Sequence, residues 1–255
     1  MIDTHSHIYD EAYAEDFDQV VARAKEAGVT RLVTPGIDIS CYESMLATAD
    51  RLDGYAVPTI GLHPTSVTAG WQGELQFVID HIGDRPFCAV GEIGLDYYWS
   101  REFEKEQQQV FLEQIGLASE KDLPIIIHAR EATEDIFRCI KKLGRRLRGV
   151  FHAFTGSIET YRQIKRLGDF KVGIGGVVTF KNAHVAETVA QIPLDDILLE
   201  TDAPYLTPVP FRGRRNESSY VKFVAEKIAQ VKGVGLEEVD NTTTANAEIL
   251  FGICK

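Results

Sequence analysis

The fold of this chain is constrained most by a regular alternation of short apolar runs with longer amphipathic segments. The apolar runs are nearly continuous, as strands are when both faces of a parallel sheet are buried. Eight such runs predict strands over residues 1–5, 31–34, 55–62, 87–93, 123–128, 149–153, 170–174 and 197–200.

The amphipathic segments between these runs predict helices. They cover residues 12–27, 41–52, 75–82, 103–121, 132–143, 158–167, 184–191, 220–232 and 241–251. Four glycines stand where helices should stop, because helix C-termini favour glycine. They are Gly28, Gly144, Gly168 and Gly233.

Eight β/α alternations without a Ser- or Pro-rich linker indicate one α/β domain over residues 1–255, a single (β/α)8 TIM barrel. The chain length of 255 residues is usual for that fold. A doubly wound open sheet is the structural alternative, although no Gly-x-Gly-x-x-Gly or P-loop pattern is present. In a barrel, the active site is expected at the C-terminal ends of the strands.

The formal net charge of −11 argues against broad electrostatic binding to nucleic acid. It does not exclude a nucleic-acid substrate, because bound divalent cations reverse the local charge of a site. The acidic balance instead favours a small or end-bound substrate over a long duplex footprint.

The four cysteines, Cys41, Cys88, Cys139 and Cys254, are scattered, so neither a zinc knot nor a disulfide framework is indicated. The first residues lack the apolar core of a signal peptide. No apolar run reaches the length of about 18 residues that a membrane helix needs. We therefore expect a cytoplasmic protein without a membrane-spanning segment.

Polar residues capable of binding a metal gather at the predicted strand ends. Five of the seven histidines lie there: His5, His7, His63, His128 and His152. The other two, His81 and His184, fall on predicted helices and are expected to be solvated. Several imidazoles and carboxylates meeting in one barrel mouth would be costly without a cation.

Six of the strand-end residues form a ligand set of nitrogen and oxygen donors without sulfur. They are His5, His7, Glu92, His128, His152 and Asp202. Six ligands exceed what one catalytic zinc needs and suit two cations about 4 Å apart, with Glu92 as the natural bridge. Such donors admit zinc, manganese, iron, nickel or magnesium, so the residues leave the metal open.

Six stretches carry a family pattern: IDTHSH, GLHP, GEIGLDYY, PIIIHAR, FHAFTG and LLETDAPYLTPVPFRGRRNE. With them the chain resembles the TatD family of metal-dependent deoxyribonucleases, which are amidohydrolase-like TIM barrels. The resemblance implies two ion sites that share Glu92. The further ligands are His5, His7 and Asp202 for one ion, and His128 and His152 for the other.

The resemblance also implies that His63 reaches the substrate phosphate or the attacking water. One departure from the family pattern lies after Asn216 and Glu217, where Ser218 and Ser219 replace a usual proline. Because this loop follows the eighth strand and lies over the site, the departure puts substrate preference in doubt.

The catalytic residues expected on this basis are Asp202, Glu92 and His63. Asp202 can ligate one metal and also accept the proton of the attacking water. Glu200 lies one pleat deeper, where it orients a ligand or serves as a structural carboxylate of the barrel interior.

Substrate binding is expected of His63 together with Arg130, which lies two residues beyond His128 and so projects toward the same mouth. Arg212, Arg214 and Arg215 follow the eighth strand and either track a nucleic-acid backbone or form a solvated loop. The aromatic residues 97–99 either stack against bases or anchor their loop.

The leading interpretation is a metal-dependent hydrolase that trims DNA from single-stranded or 3′ ends, a preference implied only by the resemblance. It expects no obligate protein partner. The alternative is another hydrolase on the same two-metal site: an aminoacyl-tRNA deacylase, a small phosphodiesterase or an amidohydrolase. A binding or scaffold protein with an idle barrel is the third reading, and it predicts gaps in the ligand set.

Overall fold

The computed structural model describes residues 1–253, so Cys254 lies outside the described residues. Within them, eight parallel strands follow one another in sequence order. The strands are β1 (Ile2–Asp3), β2 (Arg31–Thr34), β3 (Ala56–Pro58), β4 (Val90–Asp96), β5 (Ile125–Arg130), β6 (Arg148–Phe151), β7 (Asp169–Ile174) and β8 (Ile197–Leu199).

The strands form two ladders, β1-β2-β3 and β4-β5-β6-β7-β8, which meet at two seams. At one seam Ile60 bridges Val90, and at the other Ser6 bridges Ala203, both in parallel pairing. Thr4 also donates its amide to the Leu199 carbonyl oxygen across the second seam, at 2.9 Å. The strand order never reverses, so the (β/α)8 barrel is confirmed and the doubly wound open sheet is wrong.

Nine α-helices lie on the described part of the chain. They are α1 (Phe17–Glu26), α2 (Ile39–Arg51), α3 (Trp71–His81), α4 (Glu104–Lys121), α5 (Thr133–Leu143), α6 (Ile158–Leu167), α7 (Val185–Gln191), α8 (Val221–Lys232) and α9 (Leu236–Phe251). Gly144 and Gly233 end α5 and α8 in the left-handed conformation, as the sequence predicts.

Two helix starts differ from the prediction by five residues, those of α1 and α9. The chain before α1 forms a separate 3-10 turn over Glu11–Tyr13, whose Ala12 amide is capped by the Asp10 carboxylate. The helix α9 begins at Leu236, five residues before the predicted start at 241, with Glu237 and Glu238 in its first turn. Acidic side chains there interact favourably with the positive end of the helix dipole.

The core lies between the strands and the surrounding helices. Every residue of β4 is buried, and so are all residues of β8. No helix in residues 1–253 combines the length and the apolar character needed to cross a membrane. Cys41, Cys88 and Cys139 are free thiols.

The expectation that His81 is solvated is wrong. Its ring stacks on Phe77, with centroids 3.8 Å apart, and packs edge-on against Tyr42 of α2. His81 is half-buried because α3 packs against α2 at this point. His184, by contrast, keeps 90% of its side chain exposed, as expected.

Candidate metal centre

The carboxylate of Glu92, on the inner side of β4, lies at the centre of the histidines that the sequence singles out. Its Oε2 atom is 3.0 Å from His5 Nε2 and 3.9 Å from His7 Nε2. Both histidines directly follow β1, two residues apart. One Glu92 oxygen therefore faces the histidines of the first strand.

The other oxygen of Glu92 faces three different imidazoles. Glu92 Oε1 is 2.7 Å from His152 Nε2, 2.8 Å from His128 Nδ1 and 3.2 Å from His63 Nε2. The two oxygens thus divide the imidazoles into two groups on opposite sides of one carboxylate.

Asp202 completes the first of these groups. Its Oδ1 atom lies 3.6 Å from the Nε2 atoms of both His5 and His7. Its backbone has a left-handed φ of 56°, which aspartate tolerates better than most residues, and its amide donates to the His5 carbonyl oxygen at 2.9 Å. Asp202 therefore approaches from β8 across the seam with β1.

The spacing of these donors fits bound cations. Two ligand atoms about 2.1 Å from one ion are separated by roughly 3 to 3.5 Å, close to the distances above. The buried Nδ1 and Nε2 atoms of His5 and Nδ1 of His152 also have no hydrogen-bond partner among the described residues. Three groups of donors lie within 4.8 Å of one another: His5, His7 and Asp202; His5, His152 and Glu200; and His63, Glu92 and His128.

Hydrogen bonds outside the ring of donors fix which nitrogen of two histidines faces inward. Tyr9 donates its hydroxyl proton to the Pro35 carbonyl oxygen at 2.6 Å, so it accepts from His7 Nδ1 at 3.0 Å. Asp96 Oδ2 accepts from His128 Nε2 at 2.8 Å. In their neutral forms, His7 Nε2 and His128 Nδ1 therefore present lone pairs to the centre, as metal ligands must.

His63 has the opposite arrangement. The Thr65 amide donates to His63 Nδ1 at 3.2 Å, so a neutral His63 carries its proton on Nε2. The N–H group then points toward Glu92 and the centre. A hydrogen-bond donor in this position suits an oxygen of a substrate or water better than a metal ion.

The pKa values at the centre reflect two opposing effects. Burial disfavours every charge, and the attraction between imidazoles and carboxylates favours them. Burial, followed by the neighbouring His152, lowers the pKa of His5 to about 4. Burial opposes the charge on His152, but the carboxylates of Glu92 and Glu200 raise its pKa to about 10. Burial likewise opposes the charge on Glu92, yet the imidazoles of His152 and His5 hold its pKa well below its usual range. The carboxylates thus favour a positive charge among the imidazoles, which a divalent cation also supplies.

Glu200 lies beneath the centre in a position that depends on a glycine. Its Oε1 atom accepts the Ala153 amide at 2.5 Å and lies 4.0 Å from His152 Nδ1. A Cβ atom on Gly173 of β7 would lie 2.7 Å from Glu200 Cδ and closer still to Oε2. Burial raises the pKa of Glu200 to about 8. Gly173 thus leaves the space that this carboxyl group occupies.

Asp96 is the residue of the centre that the sequence prediction misses. The predicted strand ends at residue 93, whereas β4 continues to Asp96. The spacing could have indicated this residue, because Asp96 follows Glu92 by four residues, and residues two or four apart on a strand share a face. The register shift between Val90 and Ile93 weakens that signal.

The predicted substrate-binding arginines lie at the mouth, Arg130 at the end of β5 and Arg212 in the loop after β8. The Arg130 guanidinium stands 3.8 Å above the ring of Tyr98. Arg212 stands 4.3 Å above the ring of Phe180. Arg215, in contrast, pairs with Asp16 at 2.7 Å and so has a structural role.

The fold and the donor set define a metal-dependent hydrolase on a (β/α)8 barrel. The chain belongs to the family described as TatD related DNase, whose model matches residues 2–252. It is 42% identical over 255 residues to the metal-dependent hydrolase YabD of Bacillus subtilis, covering 99% of each chain.

Two further relatives agree with this family. The 3′-5′ ssDNA/RNA exonuclease TatD of Erwinia amylovora is 32% identical over 263 residues, which cover 99% of this chain and 100% of that one. The crystal structure of the TatD homologue YJJV from Escherichia coli K12 matches with a TM-score of 0.91 at 28% identity, covering 99% and 98% of the two chains. The predicted family, fold and metal-dependent hydrolase class are confirmed.

Proposed function

We propose that this protein is a two-metal nuclease that shortens single-stranded DNA from a free 3′ end, and that the whole chain forms this one hydrolase domain. The observation that carries the proposal is the position of Glu92, whose two oxygens face two separate groups of donors. The names of the Erwinia amylovora exonuclease and the matching family supply the substrate class.

In this proposal Glu92 would be a ligand of both of two divalent ions. His5, His7 and Asp202 complete one set of ligands, and His128 and His152 complete the other. The identity of the ions, magnesium, manganese or zinc, is left to experiment. When bound, two such ions lower the pKa of a water molecule and stabilise negative charge on phosphoryl and leaving oxygens.

Asp202 is the proposed general base. Its side chain is 16% exposed, whereas that of Glu92 is only 3% exposed, so water reaches Asp202 more easily. Burial opposes its negative charge, but the surrounding imidazoles of His7, His5 and His152 lower its pKa. Asp202 therefore stays ionised at neutral pH and can accept a proton from the attacking water at a carboxylate oxygen.

His63 is the proposed contact to the substrate phosphate. The tautomer set by Thr65 directs its Nε2 proton into the centre, where it can donate to a non-bridging phosphate oxygen. Arg130 and Arg212 lie on the rim, and we propose that they bind neighbouring phosphates. Among the described residues, neither guanidinium forms an ion pair with an acidic side chain.

The test is a hydrolysis assay on protein that is stripped of metal and then reloaded with magnesium, manganese or zinc separately. Oligonucleotides labelled at either end are compared with nicked duplex DNA, charged tRNA, a lactone and a simple phosphodiester. We expect a ladder of products shortened from the 3′ end, and its loss in Glu92→Gln prepared in parallel, which rules out a contaminating nuclease. Intact oligonucleotides with every metal, together with cleavage of another ester or amide, would overturn the proposal.

A further inference from the structure

Two large aromatic side chains project into solvent directly after β4. Tyr98 is 51% exposed and Trp99 is 69% exposed. The preceding Tyr97 behaves differently, because it is buried and its hydroxyl group donates to Asp135 at 3.1 Å. Tyr97 therefore anchors the loop, whereas packing into the core does not explain Tyr98 and Trp99.

Exposed apolar side chains are concentrated around the mouth of the barrel. Nine large hydrophobic residues in the described part of the chain are exposed, and five of them lie on the loops that follow β4 and β8. These five are Tyr98, Trp99, Tyr205, Leu206 and Val209. Both groups therefore lie at the end of the barrel that holds the candidate metal centre.

Arg130 joins the two aromatic rings into one surface. Its guanidinium carbon lies 3.8 Å from the centre of the Tyr98 ring and 5.2 Å from that of Trp99. A guanidinium stacked on a ring keeps its N–H donors at the edge of the plane, where they can bind a phosphate. We call Tyr98, Trp99 and Arg130 the platform.

Asp96 attaches the platform to the candidate metal centre. Its Oδ1 atom accepts the backbone amides of Tyr98 at 3.0 Å and Trp99 at 3.2 Å. Its Oδ2 atom accepts from His128 Nε2 at 2.8 Å. Arg130 follows His128 by two residues on the same strand, β5. One carboxylate thus holds both the aromatic loop and a candidate metal ligand.

We propose, resting on the nuclease function above, that the platform is a nucleotide subsite for single-stranded nucleic acid. One unpaired base stacks on the ring of Trp99, which stands at 83° to that of Tyr98, and the phosphate attached to the base binds the edge of Arg130. A base inside a duplex is already paired and stacked on its neighbours, so the subsite selects single strands or frayed ends. Stacking alone uses the face of a base and therefore tolerates all four bases.

Fluorescence tests this contact without relying on catalysis. The chain has two tryptophans, so Trp71→Phe leaves Trp99 as the only one. Trp71 is a suitable position to change because it is half-buried at the start of α3 and belongs neither to the candidate metal centre nor to the platform. The probe is an oligothymidylate with phosphorothioate terminal linkages, which resist hydrolysis, added to metal-loaded protein. We expect saturable quenching of Trp99, and emission that does not change would overturn the subsite.

Kinetics with an abasic oligonucleotide test the same contact in a second way. Removing the stacked base should lower kcat/KM by about 5- to 150-fold for the unmodified protein. In Trp99→Ala the ratio of kcat/KM for the intact oligonucleotide to kcat/KM for the abasic one should fall to about one, because the ring on which the base stacks is already gone. Trp71→Phe is the matched control and should keep the ratio of the unmodified protein. Circular dichroism checks that Trp99→Ala is folded.

The outcomes separate this inference from the proposed function. Hydrolysis of oligonucleotides with an unchanged ratio in Trp99→Ala overturns the subsite and leaves the nuclease function standing. Quenching of Trp99 without hydrolysis by any metal form supports the subsite and overturns the nuclease function. If Trp99→Ala changes the oligomeric state in light scattering while the ratio is unchanged, the platform is an interface between copies of this chain and the subsite is overturned.

Discussion

Asp96 Oδ2 lies 2.8 Å from His128 Nε2, on the side of the imidazole that faces away from Glu92. In neutral His128 this hydrogen bond fixes the proton on the outer nitrogen and leaves the inner nitrogen with a lone pair. A carboxylate behind a histidine ligand in this way orients the ring and makes it a stronger ligand.

Asp96→Asn should therefore weaken binding of the ion proposed to be held by His128 and His152 by about 10- to 100-fold. Calorimetric titration of metal-free protein measures the two affinities. Asp80→Asn is the control, because Asp80 lies in the last turn of α3 and its carboxylate accepts only from Gln76 within the described residues. Unchanged affinity for both ions in Asp96→Asn would show that the hydrogen bond has no such role.

Glu92→Ala should reduce the bound metal to fewer than two ions per chain, because both proposed sites lose the same ligand. Hydrolysis should fall by at least about 100-fold, as when charge stabilisation of the transition state is lost. Elemental analysis gives the metal content, and circular dichroism verifies the fold. Two ions and full activity in this variant would refute the bridging position of Glu92.

Gly173→Ala should lower the free energy of unfolding by about 1 to 3 kcal/mol, because the added methyl group overlaps the Glu200 carboxyl group. The double variant Gly173→Ala/Glu200→Ala should lose less free energy of unfolding than the two single variants lose together, by at least about 0.5 kcal/mol. Urea denaturation measures all three variants.

The matched control is Gly116→Ala on α4, where a Cβ atom meets nothing within 4 Å. This change should be neutral or stabilise the protein by up to about 1 kcal/mol, because alanine is the better helix former. Equal destabilisation at both glycines would contradict the steric explanation.

Asp38 caps α2 and also contacts the turn that follows His63. Its carboxylate accepts from the Ser40 amide at 3.0 Å and from the Ser66 hydroxyl at 2.7 Å. Asp38→Ala should lower the free energy of unfolding by about 1 kcal/mol, the usual value of a helix N-cap.

The loss in Asp38→Ala should depend on pH. Partial burial opposes the charge of Asp38, but the hydrogen bonds from Ser40 and Ser66 outweigh it and lower the pKa. A lowered pKa stabilises the fold above the ordinary value of about 3.9 and loses this contribution as the pH falls through the folded value. The stability difference between the unmodified protein and Asp38→Ala should therefore be constant near neutrality and shrink in acid. A difference that grows in acid would contradict the ionised cap.

The sequence predicts the barrel and the ring of histidines for the same reason. Apolar runs mark the strands, and a polar residue at the end of a parallel strand lies at the edge where the active site forms. His128 and His152 are identified in this way, and the structure brings both to within 3 Å of Glu92. Their roles as metal ligands remain predictions.

What the sequence does not reveal depends on contacts between distant segments. Asp96 is missed because β4 shifts register between Val90 and Ile93, and no local pattern encodes that shift. The exposure of Trp99 also cannot be read from a run of three aromatic residues, because Tyr97 beside it is buried. Only the packing of the loop distinguishes the anchor from the exposed ring.

Because the candidate metal centre lies between the two ladders of the barrel, bound metal would also affect how firmly the barrel is closed. His5 and His7 follow a strand of the three-stranded ladder, whereas Glu92, His128 and His152 belong to the five-stranded one or follow directly from it. Ions shared between these residues would cross-link the two ladders in addition to the backbone hydrogen bonds at the seams. At 100 times its dissociation constant, one ion adds about 2.7 kcal/mol to the stability of the state it binds. A chelator would therefore loosen the closure of the barrel as well as stop hydrolysis.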